Sequence, residues 1–157
     1  VPHLELELTE DARRLAPTGP GGTEQPLSRS HSSLVRWAAS VAGATEPSLV
    51  LTADAVIVAA SSSCAELIGL PDPAALPGTP LRDAVPQLVD FTESLGELDN
   101  SEAGKIPPLL AISSGRLARG LMRVVCCDGT VRTMDAVATP LWDGPALVGS
   151  LTFFSKI

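Results

Sequence analysis

Apolar positions recur with two different periods along the chain. Leu34, Trp37, Ala38 and Val41 fall three or four apart, the spacing of one helix face. Ser30, Ser32 or Ser33 can cap that helix, and Gly43 and Pro47 end it. Residues 30–46 are therefore predicted as an amphipathic cap helix. SLVLTAD (Ser48 to Asp54) and AVIVAAS (Ala55 to Ser61) are rich in Val and Ile and read as two strands about a turn at Asp54-Ala55. Serines 61–63 can cap CAELIGL, a short helix closed by Gly69 and Pro71.

Five prolines between Pro71 and Pro86 rule out a long helix there, so short turns are expected, one of them over Leu81 to Val85. QLVDFTESLGELDNSEAG carries five acids and no base, and reads as a solvated helix and loop. Pro107-Pro108 can open a helix that LLAISSG completes. LMRVVCC and TVRTMDAVATPLW then flank Asp128-Gly129, the pair favoured in two-residue hairpins because it accepts positive φ. That register would set Arg132 opposite Val125. A turn at Asp143-Gly144-Pro145 leads to a last strand, ALVGSLTFFSKI, with Leu147, Gly149, Leu151 and Phe153 on one face and Val148 and Phe154 on the other. In the strand before it, Val131, Val137 and Leu141 oppose Met134, Ala136 and Ala138. Consecutive hairpins demand an antiparallel sheet.

Residues 1–29 differ in character. Leu4, Leu6 and Leu8 alternate with Glu5 and Glu7, and Ala16 to Pro26 is rich in Gly and Pro. The segment reads as a flexible tail, or as an arm whose leucines dock on this or a neighbouring subunit. Three units result: a tail over 1–29, the cap helix over 30–46, and a domain over 47–157.

Composition narrows the function. Apolar residues make up 45% of the 157, enough for a sizeable core, but aromatics are only 3%, so that core must be aliphatic and offers few rings to a flat cofactor. The net charge is −7 and the eleven basic residues are scattered, which argues against nucleic acid or an anionic membrane as direct partner. No apolar run reaches the length of a membrane span. Three cysteines, two of them adjacent, make no disulfide framework, and a reducing cytoplasm is expected.

The order of elements from residue 47, and three segments in it, resemble the PAS family. VLTADAVIVAASSSCAELIGL is similar to the family's opening, GTPLRDAVP to the stretch that follows, and RVVCCDGTVRTMDAVATPLWDGPALVGSLTFF to its closing three strands. The resemblance implies an α+β fold: a five-stranded antiparallel sheet with short helices on one face, here preceded by an amphipathic helix. Two departures stand out. The opening turn is Asp54-Ala55 where the family usually has Asp-Gly or Asp-Asn, and the Asn common before the first core helix is replaced near Ser61, so a hydroxyl would have to cap that helix. The abundance of Ala, Pro and Leu points to a GC-rich bacterial source such as an actinobacterium.

PAS modules sense through haem, flavin, small metabolites or no ligand. Haem wants an axial His, yet His3 and His31 precede the core and PPLLAISSG bears no ligand-type side chain. Photochemical flavin modules use Asn-Cys-Arg on a middle helix, and that sequence is absent. No haem, flavin or metal is therefore expected, and a small-molecule ligand is left open. Cys64 reads as a core residue. Cys126 and Cys127 end a strand and read as one buried and one exposed thiol; the alternative is a redox pair, with Arg132 near enough to activate Cys127. No Gly-x-Ser-x-Gly elbow, phosphate cradle or paired carboxylate is present, and catalysis is not expected.

Apolar residues on both sheet faces imply that both are covered. One face takes the short helices. The other takes the Leu34, Trp37 and Val41 helix or a second subunit, which predicts an isologous homodimer. The small Gly149, Ala136 and Ala138 could leave a cavity under the helices. The chain is thus read as a stand-alone or excised sensory and interaction module of bacterial signalling, with a kinase, phosphatase or transcription regulator as the kind of partner the resemblance implies. The alternatives are a ligand-free dimerisation domain and, last, a small enzyme on a similar sheet.

Overall fold

The computed structural model describes residues 32–157 apart from 71 and 86. The expected tail over 1–29, with His3, and His31 lie outside the described residues. Helix α1 spans Ser32–Ala42. Strands β1 (Ser48–Thr52) and β2 (Ile57–Ala60) follow, then helix α2 (Ser62–Ile68), a 3-10 turn over Pro73–Ala75, and the one-turn helices α3 (Leu81–Ala84) and α4 (Asn100–Ala103). Helix α5 (Pro107–Ser114) leads to β3 (Ala118–Val125), β4 (Val131–Asp143) and β5 (Ala146–Lys156). The five strands form one antiparallel sheet in the order β2-β1-β5-β4-β3.

Side-chain alternation divides the core in two. On the helix side, Leu49, Leu51, Met122, Val124, Met134, Ala136 and Phe154 pack with Cys64, Ile68, Leu81 and Ile106. On the outer side, Val50, Ala59, Leu141 and Leu151 pack with Leu34 and Val41 of α1. The predicted alternation of β4 is observed: Met134, Ala136 and Ala138 are fully buried beneath the helices. The β5 prediction needs two corrections. Val148 packs with the α1 cluster, because the register shifts by a bulge between Leu141 and Trp142. Gly149 belongs to the outer face, under Leu34, and so lines no space beneath the helices.

The β3–β4 hairpin is also corrected. Strand β3 starts at Ala118, three residues before the predicted start, and its last residue Val125 pairs with Val131. The turn has three residues, Cys127 to Gly129: the Gly129 N–H donates to the Cys126 carbonyl at 2.9 Å and the Cys126 N–H to the Thr130 carbonyl at 2.8 Å. Gly129 takes φ 80°, the left-handed position of the common three-residue hairpin. Asp128 is held in the turn by Thr130, whose N–H and hydroxyl both donate to its carboxylate. The one-residue change in register puts Arg132 opposite Val124 instead of Val125; it lies on the helix side, the face it shares with Met134 and Ala136 along β4.

Candidate functional site

The outer face of the sheet is only partly covered. Helix α1 rests on β1, β2 and the β4–β5 turn, seated where Gly149 lacks a side chain: a Cβ there would lie 1.9 Å from the Leu51 carbonyl oxygen and 2.9 Å from Leu34 Cδ2. Of the three α1 residues expected to make contacts, Leu34 and Val41 are buried on the sheet. Trp37 is half turned out at 37% exposure, beside Val35 at 63%. Among the described residues, no segment beyond α1 covers the outer face across β5, β4 and β3. Register aligns Phe153, Val137 and Arg119 in one row and Ser155, Asp135 and Leu121 in the next. Phe153 is 45% and Leu121 51% exposed. Between them Arg119 grips Asp135, Nη2 to Oδ2 at 2.6 Å. The hydrogen bonds from Arg119 hold the Asp135 carboxyl below its usual range, and the same bonds raise the guanidinium.

On the helix side, the end of α2 is tied to the β3–β4 hairpin. Arg132 Nη1 donates to the carbonyls of Glu66 and Leu67. The Cys126 thiol donates to the Ile68 carbonyl at 3.6 Å, and the Cys127 thiol to the Gly69 carbonyl at 3.5 Å. Three side chains of one hairpin thereby reach the four successive carbonyls of Glu66 to Gly69, the first of which also accepts from the Gly69 N–H. Gly69 turns the chain at φ 78°, and a Cβ on it would come within 2.7 Å of Cys126 Cβ. Cys126 is buried and Cys127 exposed; Cys126 follows directly on β3, bonded to Thr130, and Cys127 is the first residue of the turn. Arg132, expected near Cys127 as an activating charge, spends its Nη1 on the α2 carbonyls. Cys64 lies in the core of α2, where burial pushes its thiol up to about 12.

An open groove of about 590 Å³ runs past this junction, between α2 and the end of β5. Glu46, Pro47, Ser63 and Glu66 form one side, and Arg132, Phe154 and Lys156 the other. Lys156 and Glu66 carried no sequence signal as site residues, because only the folded chain brings the last strand beside the first core helix. The aspartates of two loops were legible in principle: both occur as Asp-x-Thr, a pattern that closes a local side-chain turn. Asp90 accepts from the Thr92 N–H at 3.0 Å, the Thr92 hydroxyl at 2.6 Å and the Gly96 N–H at 3.2 Å, and these bonds lower its carboxyl.

Adduct-forming flavin chemistry needs a thiol on a middle helix, and the described cysteines do not fit it. Cys64 sits in α2, Cys126 at the end of the β3 side of the hairpin and Cys127 in its turn, while α3 and α4 contain none. Among the described residues no three His, Cys, Asp or Glu side chains are placed to hold a metal ion. No helix among them is long and apolar enough to cross a membrane.

No protein-family model and no curated protein matches the chain. Solved structures do. The PAS domain of a Colwellia psychrerythraea protein superposes with a TM-score of 0.55 at 16% identity, covering 79% of this chain and 96% of that one. The LOV protein of Rhodobacter sphaeroides gives 0.59 at 12% identity, over 80% of this chain and 67% of its own. The VqmA dimer of Vibrio cholerae gives 0.54 at 16% identity, over 78% of this chain and 51% of its own, so this chain spans about half of that protein. The sheet order, the helices on one face and these superpositions agree: the described residues form a PAS-fold domain.

Proposed function

We propose that the chain is a sensory and interaction module that works as a homodimer, its signal carried by contacts on α1 and the outer sheet face and with no bond made or broken. The observation that carries this reading is the stretch of outer face beside α1 that no other described segment covers, where Phe153 and Leu121 expose apolar surface around the Arg119–Asp135 pair and Trp37 is half exposed on α1. A second copy is the occupant that suits it. A two-fold contact sets one apolar patch against itself, and a protein of similar fold, VqmA, is described as a dimer. A signal would act by favouring one seating of α1 over another, since only a difference in affinity between two arrangements shifts their populations.

The helix side supports a contact-driven module: Leu49, Leu51, Ile57, Met134, Ala136 and Phe154 all lie in one buried cluster. The alternative reading is a ligand-free structural dimerisation domain. Light scattering of the purified protein tests the dimer. Twice the chain mass is expected for the native chain, and a single chain mass for Phe153→Asp with Leu121→Asp, with the far-ultraviolet spectrum unchanged. A native chain that stays at single mass at every concentration would refute the dimer. Native mass spectrometry then separates the two readings, since a stoichiometric small-molecule adduct would return the module to ligand sensing.

A further inference from the structure

The groove between α2 and the end of β5 carries four charges of two signs. Lys156 and Arg132 lie on the helix side of the sheet, Lys156 opposite Met134 and Arg132 two residues before Met134 along β4. Glu66 on α2 and Glu46, in the segment that joins α1 to β1, line the other wall. Among the described residues the one ion pair is Arg119 with Asp135, at 2.6 Å. Those two close on each other from neighbouring strands, whereas the acids and bases of the groove stand on separate walls beyond ion-pair distance. Their charged ends bond no described residue, apart from Arg132 Nη1, which donates to the carbonyls of Glu66 and Leu67.

Between these walls the lining is apolar, from Pro47, Leu67 and Phe154. One backbone donor joins the basic wall. The Phe154 N–H donates to the Pro47 carbonyl at 2.9 Å, and the Ile157 N–H to Thr133 on the β4 side. Alternate residues of a strand direct their backbone groups to opposite sides, so the Lys156 N–H points toward the groove, beside its own ammonium. Guanidinium, ammonium and N–H only donate, and together they suit a carboxylate. The carboxylates of Glu46 and Glu66 only accept, and suit an ammonium. A simple anion or cation is drawn to one wall and repelled by the other. A small molecule with both charges and an apolar body satisfies both walls and the lining between them. The volume of about 590 Å³ falls within the range of small-molecule sites.

We propose that this groove binds the zwitterion of an apolar amino acid or dipeptide, its carboxylate at Lys156 and Arg132 and its ammonium at Glu66 and Glu46. A ligand there lies against the segment between α1 and β1, and its effect on the seating of α1 rests on the sensory reading above. NMR titration of the full chain, with L-leucine in one arm and L-leucyl-L-leucine in the other, tests the site. At least one of them shifts the amides of Ser63, Glu66, Leu67, Arg132 and Lys156 saturably, with Kd in the millimolar range that exposed charges support. The tighter arm identifies the source. Its C-terminal amide, which lacks the carboxylate, binds about threefold more weakly, and so does its N-acetyl derivative, which lacks the ammonium. Lys156→Gln narrows the first difference and Glu66→Gln the second. No saturable shift at these amides from either probe would overturn the proposal. So would a capped derivative that binds as tightly as the zwitterion, or differences that both substitutions leave unchanged. Chain mass does not enter this readout: a failed site leaves the outer-face dimer standing, and a monomeric chain leaves the site standing.

Discussion

Ser61 caps α2 as a hydroxyl standing where the family's Asn would be. Its Oγ accepts from the Cys64 N–H at 3.1 Å and the Ser48 N–H at 3.0 Å, and its hydroxyl donates to the Glu46 carbonyl at 2.9 Å. That role was legible, because a serine just ahead of an apolar helical run is a capping signal. The other departure, Ala55, has a cost. It adopts φ 61° in the β1–β2 turn, closed by its N–H to the Thr52 carbonyl at 2.9 Å, and a Cβ is disfavoured in that region by about 1–2 kcal/mol. Glycine removes the clash but loses more chain entropy on folding. Ala55→Gly should therefore raise the unfolding free energy by about 0.5–1 kcal/mol, measured by urea denaturation. A neutral or destabilising result would mean the turn relaxes around the methyl group.

Helices and strands of clear period were well placed from the residues: α1, α5 and β5 fall within the expected segments, α2 begins two residues before Cys64, and β4 runs on to Asp143, which had been expected in the turn. Boundaries and register were harder. The observed hairpin has three residues, with Asp128 accepting from Thr130, in place of the two-residue turn that Asp128-Gly129 alone suggests. That one-residue difference set Arg132 beside Val124, and from the face it shares with Met134 it reaches the end of α2. At this scale the seat of α1 is the sharpest test. Gly149→Ala brings its methyl group against the Leu51 carbonyl, part of the β1–β5 ladder that cannot yield. A loss of about 3 kcal/mol or more is expected. Adding Leu34→Ala should not rescue it; rescue would show that the helix, and not the neighbouring strand, demands the glycine.

For the whole molecule, acid stability follows from three surface carboxylates. Hydrogen bonds from Thr92, Thr130 and Arg119 hold Asp90, Asp128 and Asp135 below the usual 3.8. The folded chain thus binds fewer protons than the unfolded chain in that range, so their contribution is complete above 3.8 and is lost as pH falls through the lower folded values. The melting temperature should hold level from pH 7 to 5 and drop below 4, with a smaller drop in Thr92→Val, Thr130→Val and Arg119→Met combined. An identical slope in that variant would assign the acid sensitivity elsewhere. By itself, the sequence determined the chain order of its elements and the aliphatic character of the core, because period, capping and proline content act over a few residues at a time, and the resemblance of three segments to the PAS family supplied the fold class. Which side of α2 meets the hairpin, how much outer sheet α1 leaves bare, and that β5 runs past Pro47 were decided only by tertiary structure. Those features depend on register between segments far apart in the chain, and a shift of one residue reverses every face.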